Sequence, residues 1–171
     1  MFARTKRLFL RPPWPEDVAA YHAVHDDWDV VKNLGTAPWP FTLDDARDRI
    51  AKAADIPQHE ASCVIFLHTD QGPELVGSIG FGRWNDRVRH PEIGYSIARS
   101  HWGKGIAVEA GEAILATAFL GIGHPLIGAS HFVDNPNSGK VLRRLGFEPT
   151  GAIVPYPCRA RGCDVDSVEY V

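Results

Sequence analysis

A glycine-punctuated turn joins a strand-like run to a long apolar-periodic segment. The run is Glu92-Ile93-Gly94-Tyr95-Ser96-Ile97-Ala98; the turn and segment are Trp102-Gly103-Lys104-Gly105-Ile106-Ala107-Val108-Glu109-Ala110. Alternation in the first and helical spacing in the second predict strand, turn, helix. A helix entered in this way offers N–H groups without intrahelical partners at the positive end of its dipole. Such a place takes phosphate without a charged side chain, and the glycines let the backbone approach the ligand closely. Neither common phosphate loop fits. The Walker spacing fails because Gly105 is not followed by Lys and Ser/Thr, and the dinucleotide pattern ends in Val108 instead of a third glycine. The glycines alone would serve equally in an ordinary tight turn, so the rest of the chain has to decide.

A chain of 171 residues fits one domain, taken here as 1–171. A domain of this size buries roughly 70% of its unfolded surface and needs no disulfide or metal to fold. The net charge of −3 comes without a basic stripe, which argues against nucleic acid as a partner. No apolar run approaches the ~20 residues of a membrane span, and the N-terminus lacks the apolar core of a secretory signal. Cys63, Cys158 and Cys163 are scattered and odd in number, as expected of a reducing compartment and hence the cytoplasm. Cys158 and Cys163 lack a His pair to complete a metal site, so no metal is expected.

The pattern predicts a strand over 5–11, ended by Pro12-Pro13-Trp14-Pro15, then a helix over 16–27 with Pro15 at its first position. A short helix over 28–34 and a Pro- and aromatic-rich loop follow. Thr42 then caps a helix to about Ala54. Strands over 62–68, 74–84 and 90–98 form an antiparallel meander. A helix over 106–120 leads by a right-handed crossover to a parallel strand over 126–132. Asn135 caps the next helix, which ends at Leu145-Gly146, and a hairpin of residues near 147–155 and 164–171 closes the chain.

Further along stands Asp134-Asn135-Pro136-Asn137-Ser138-Gly139-Lys140, running to Leu145-Gly146-Phe147. With Glu92-Ile93-Gly94-Tyr95 and the Trp102–Ala110 motif, it resembles the GNAT superfamily of acyl-CoA-dependent N-acyltransferases. The branch it looks most like includes the ribosomal-protein N-terminal acetyltransferases of the Rim (RimJ/RimL) type. Arg7-Leu8-Phe9-Leu10-Arg11-Pro12 and Pro15-Glu16-Asp17 fit the opening of that branch. The resemblance implies an α+β (mixed α/β) fold. Its central, mostly antiparallel twisted sheet would have about seven strands, splayed between strands 4 and 5, with about four flanking helices. It also implies acetyl-CoA as co-substrate and, by family habit, a homodimer.

Amine acylation from a thioester needs a grip on the cofactor, a deprotonated amine and a stabilised leaving thiolate. The resemblance puts the pyrophosphate on Gly103, Lys104, Gly105, Ile106 and Ala107. It lays the pantetheine arm along Ile97, Ala98 and Arg99 as an added strand, with Asn135 on its amides. Ser138 reaches the sulfur as the leaving-group donor, while Asn135 also suits a helix cap. Glu92 is the leading base: strand alternation sets it with Gly94 and Ser96, opposite the aliphatic face of Ile93, Tyr95 and Ile97. His90 and His131 are the competing bases, with an ordinary pKa of about 6.5. For the acceptor, Trp39, Trp84, Glu92 and His131 are the candidate contacts.

The resulting expectation is a cytoplasmic acetyl-CoA-dependent N-acetyltransferase. Its acceptor is a primary amine, on a protein N-terminus or a small molecule. Two alternatives stay open: a CoA-binding regulatory or sensor module without turnover, and an acyltransferase using a longer acyl-CoA.

Overall fold

The structure, a computed structural model, describes residues 1–83 and 90–171. The connection expected between the strands over 74–84 and 90–98, and the candidate contact Trp84, lie outside the described residues. Eight strands form one sheet in the order β1-β2-β3-β4-β5-β6-β8-β7. They are β1 (Ala3–Arg4), β2 (Leu8–Arg11), β3 (Ala61–Thr69), β4 (Gly72–Gly82), β5 (Glu92–Ile97), β6 (Gly128–Phe132), β7 (Pro149–Cys158) and β8 (Cys163–Tyr170). The helices are α1 (Val18–His25), α2 (Trp28–Val31), α3 (Leu43–Ala54), α4 (Ile106–Ala116) and α5 (Pro136–Arg144). The expected seven strands become eight because the two-residue β1 pairs with β2, Ala3 opposite Leu10. About four flanking helices were implied and five are present among the described residues, the short helix expected over 28–34 being α2, four residues long.

Local chemistry accounts for most boundaries. Thr42 and Asp45 close a reciprocal capping box at α3, the Thr42 hydroxyl accepting from Asp45 N at 3.2 Å and Asp45 Oδ2 from Thr42 N at 2.9 Å. Asn135 caps α5 with Pro136 in its first turn. The helix expected over 106–120 is α-helical only to Ala116; Thr117–Ile122 continues as a π-turn. The Thr117 hydroxyl donates back to the Ala113 carbonyl at 3.2 Å, a bond that competes with the regular ladder and loosens it.

The sheet separates two cores. Against α4, Leu8, Leu10, Ile65, Ile79, Phe81, Ile93, Ile106 and Ile114 pack together. Against α1 and α3, Tyr21, Val24, Val31, Phe41, Ile50 and Val64 do the same. His25 sits fully buried on the α1 side, and burial lowers its pKa to about 4, so it is neutral. Its Nδ1 donates to the Tyr21 carbonyl at 2.8 Å, leaving Nε2 to accept from the Ser96 hydroxyl at 2.9 Å. That bond ties α1 to β5.

The pairing that shapes the site is between β5 and β6. It is parallel and holds for only two register pairs, Glu92↔Gly128 and Ile93↔Ala129. β6 is instead taken up on its other side by β8, from Ala129↔Tyr170 to Phe132↔Ser167. The expected splay between the fourth and fifth strands is therefore this divergence of β5 from β6. Among the described residues, no helix is long and apolar enough to cross a membrane, no side-chain cluster could hold a metal ion, and all three cysteines are free.

One buried ion pair anchors the start of the chain. Arg11 on β2 grips Asp17 with two bonds, 2.7 and 2.8 Å, and its guanidinium lies 3.8 Å from the Trp14 ring centroid. Removing one partner strands the other charge in the interior, at a cost of about 3–5 kcal/mol. Asp17→Ala should lower the unfolding free energy by about 3 kcal/mol, read by urea denaturation. A loss under about 1 kcal/mol would show that the pair is hydrated and not structural.

Candidate functional site

The divergence of β5 and β6 opens a cleft of about 670 Å³. At its wide end lies the glycine turn. Gly103 and Gly105 take φ of 75° and 77°, which only glycine adopts without strain. Gly105 is the N-cap of α4 and offers no side-chain cap. The N–H groups of Ile106, Ala107 and Val108 therefore start α4 without intrahelical acceptors, and these residues line the cleft.

The turn is braced from the far end of the chain. Glu109 Oε1 accepts from the Thr5 hydroxyl at 2.6 Å and from Arg7 N at 2.9 Å, while Oε2 pairs with Arg7 Nε at 2.7 Å. Arg7 Nη1 also donates to the Lys104 carbonyl at 3.0 Å. Burial works to raise the Glu109 pKa, but the bonds from Thr5 and Arg7 hold it below the usual carboxylate range. The glutamate of the motif is thus a structural strut, a role set by Thr5 and Arg7 and not by its own neighbours in sequence.

Beyond Ile93, β5 has no strand partner on the β6 side. Ala98 N–H donates to the Val76 carbonyl on β4 at 2.8 Å, so by alternation the main-chain groups of Tyr95 and Ile97 face the cleft. The Ile97 carbonyl accepts from the Trp102 indole at 2.7 Å, leaving the Ile97 N–H and the Tyr95 amide groups at the open edge. Ile97 lines the cleft. Ala98 and Arg99 do not line the cleft: their main-chain groups close the short turn before the glycines, and the Arg99 side chain pairs with Asp27 at 2.8 Å. Lys104 does not line the cleft either, whereas Trp102, Gly103 and Gly105 of the turn do.

Asn135 and Ser138 come to the cleft from the start of α5. Asn135 Oδ1 accepts a long bond, 3.4 Å, from Ser138 N. The Ser138 hydroxyl is 2.8 Å from the Tyr95 hydroxyl. Burial pushes the Tyr95 phenol up to about 12, so it keeps its proton at working pH. Tyr95 lies on the aliphatic face that alternation predicts, and its hydroxyl reaches the site.

Glu92 lies at the closed end of the divergence, on the face opposite Tyr95, over Gly128. Burial, and then the nearby Glu169 carboxylate, raise its pKa to about 7. Among the described residues no cation forms an ion pair with it. The competing histidines fare differently. His90 is exposed and does not line the cleft. His131 borders the cleft with both nitrogens engaged: Nδ1 with the Phe132 carbonyl at 2.8 Å, Nε2 with the Tyr170 hydroxyl at 3.2 Å. Trp39 does not line the cleft; it packs edge-on to Trp28, ring centroids 5.6 Å apart.

Across the mouth, the turn of the β7–β8 hairpin is tied to the segment after α2. Arg159 N donates to the Gly35 carbonyl at 3.0 Å and Arg161 Nε to the Lys32 carbonyl at 2.8 Å. Gly35 is a close approach: a Cβ there would meet Tyr156 Cε1 at 2.7 Å.

Residues 7–148 match the acetyltransferase (GNAT) domain family. An uncharacterized N-acetyltransferase, p20 of Bacillus licheniformis, is 32% identical over 166 residues, covering 95% of this chain and 90% of that protein. A GNAT-family acetyltransferase structure from Bacillus anthracis superposes with a TM-score of 0.81 at 26% identity, covering 99% and 96% of the two chains. The fold of Mycobacterium smegmatis RimJ, solved with CoA-disulfide, superposes at 0.78 with 24% identity over 95% and 80%.

The Glu92 pKa has a consequence for stability. Its folded value of about 7 stands above the ordinary 4.5, so the folded protein holds that proton more tightly than the unfolded chain. The stabilisation is full below pH 4.5 and is lost as pH rises through 7. Glu92→Gln should melt higher than the wild type at pH 8, with the gap closing towards pH 4.5. A gap independent of pH would contradict the burial of an ionising Glu92.

Proposed function

The chain belongs to the GNAT acetyltransferase family, and from that premise we propose that it moves the acetyl group of acetyl-CoA to a primary amine by direct attack in the β5–β6 cleft. The observation that carries this reading is the open main-chain edge of β5 leading straight to the uncapped start of α4. An extended amide-bearing arm pairs with such an edge, and a pyrophosphate sits on such a helix start. The residues present fit the co-substrate without a cationic loop. The free thiols fit a reducing compartment.

The thioester supplies an activated acyl carbonyl and a thiolate leaving group. Glu92, unpaired and poised near neutrality, accepts the proton of the incoming ammonium, directly or through a water. Ser138 donates a hydrogen bond to the departing thiolate sulfur, which takes its proton from water. The Tyr95 hydroxyl stands 2.8 Å from the Ser138 hydroxyl and 3.3 Å from the Ser138 carbonyl; with Tyr95 as donor to the hydroxyl oxygen, the single serine proton is turned towards the cleft. Asn135 caps the start of α5 and from the cleft wall would bond the pantetheine amides.

Activity therefore falls on the acid side as Glu92 takes up a proton near pH 7. Glu92→Gln should flatten that limb of the pH–rate profile; a limb that persists returns the base to another group. Ser138→Ala should lower kcat on the order of a hundredfold with KM for acetyl-CoA little changed, in a thiol-release assay. Tyr95→Phe should lower kcat about tenfold alone and cost nothing further in the Ser138→Ala background. Additive losses would separate Tyr95 from Ser138.

A further inference from the structure

Ser167 is buried in β8, and its hydroxyl is the only buried side-chain polar atom without a hydrogen-bond partner among the described residues. Buried hydroxyls are nearly always paired, and leaving one unpaired costs stability. Its backbone sits in two ladders, opposite Phe132 of β6 and Val154 of β7, which fixes the face from which the side chain projects. It lines the cleft together with Phe132 and Tyr156, whose rings meet at a centroid distance of 6.4 Å. The segment around Gly35, strapped down by Arg159 and Arg161, lines the same end.

The charges around this end are already paired. Asp29 bonds Lys32, Arg99 bonds Asp27 and Asp29, and Asp134 bonds Arg161 at 2.6 Å. The wall thus pairs aromatic surface with one unmet hydroxyl, while Glu92 and the neighbouring Glu169, neither in an ion pair among the described residues, lie further in. On the same face, Glu92 pairs with Gly128 at one end of β6 and Ser167 with Phe132 at the other. An amine bound at Glu92 extends along this face towards Ser167.

We infer that Ser167 anchors a neutral hydrogen-bonding group of the acceptor, a hydroxyl or a carboxamide, so that the acceptor is an amine bearing such a group and not a polyamine. This inference rests on the transfer reading above and deepens it. A second ammonium at this wall would meet carboxylates already neutralised by their own partners and a Phe132 ring that already carries the Arg161 guanidinium, 5.3 Å from its centroid. A hydroxyl or amide there satisfies Ser167, and its hydrocarbon analogue leaves Ser167 unmet, which is how a site discriminates strongly.

The test is calorimetric titration of matched amines into the protein saturated with CoA. Tyramine is compared with phenethylamine, alaninamide with sec-butylamine, and spermidine serves as the dicationic control. In the wild type at least one hydroxyl- or amide-bearing amine should bind about tenfold tighter than its hydrocarbon match, and spermidine should bind no better than the hydrocarbons. Ser167→Ala should erase the preference, keep CoA affinity, and hold or raise the melting temperature. A preference that survives Ser167→Ala, no preference in either pair, or tight spermidine binding would overturn the inference. So would a lower melting temperature in Ser167→Ala, which would mean the hydroxyl is satisfied within the folded protein. CoA binding without a preference removes this inference alone; failure of CoA to bind the wild type removes the transfer reading and this inference with it.

Discussion

The parting of β5 from β6 is the constraint on which the rest of the molecule depends. A parallel pair that ends at Ile93↔Ala129 leaves the following main-chain groups of β5 without a strand to bond. In a packed sheet such groups are costly unless something replaces the missing strand. β6 does not return, because β8 holds it along Ala129–Phe132 and α5 packs against it. The cleft is therefore set by the strand order itself, with β8 inserted between β6 and β7.

The alternation of β5 divides the work between two faces. Tyr95 faces α5 and meets Ser138, while Glu92 and Ser96 face the other way. A ligand threaded between the strands is thus approached by a proton donor from one side and a proton acceptor from the other. The two ends of the cleft are held by distant chain segments. Thr5 and Arg7 pin α4 through Glu109, and the β7–β8 turn pins the segment after α2. Both braces use paired charges or main-chain carbonyls, so the site gains rigidity without filling the cleft.

What was legible in the sequence was local. The Thr42 cap, the Asn135 cap with Pro136 and the glycine turn each depend on neighbours within a few residues, and all appear where expected. The face of Glu92 followed from period two. What was not legible depended on partners far away in sequence. Glu109 acquires its role from Thr5 and Arg7, and Ser167 becomes notable only because nothing meets it. Apolar patterning gave Tyr95 its correct face but said nothing of where its hydroxyl ends. Ala98 and Arg99 read as edge residues by adjacency to Ile97, but a tight turn consumes their main-chain groups. Trp39 read as a pocket aromatic by composition, whereas its nearest ring is Trp28.

The central claim is that the α4 turn and the β5 edge together form a site for an acyl-CoA. Calorimetric titration of the purified protein with acetyl-CoA, CoA and ATP tests it most directly. The account predicts that acetyl-CoA and CoA bind tightly and ATP does not, because ATP offers phosphates to the turn but no extended amide arm to the strand edge. Equal binding of ATP, or no binding of CoA, would contradict it.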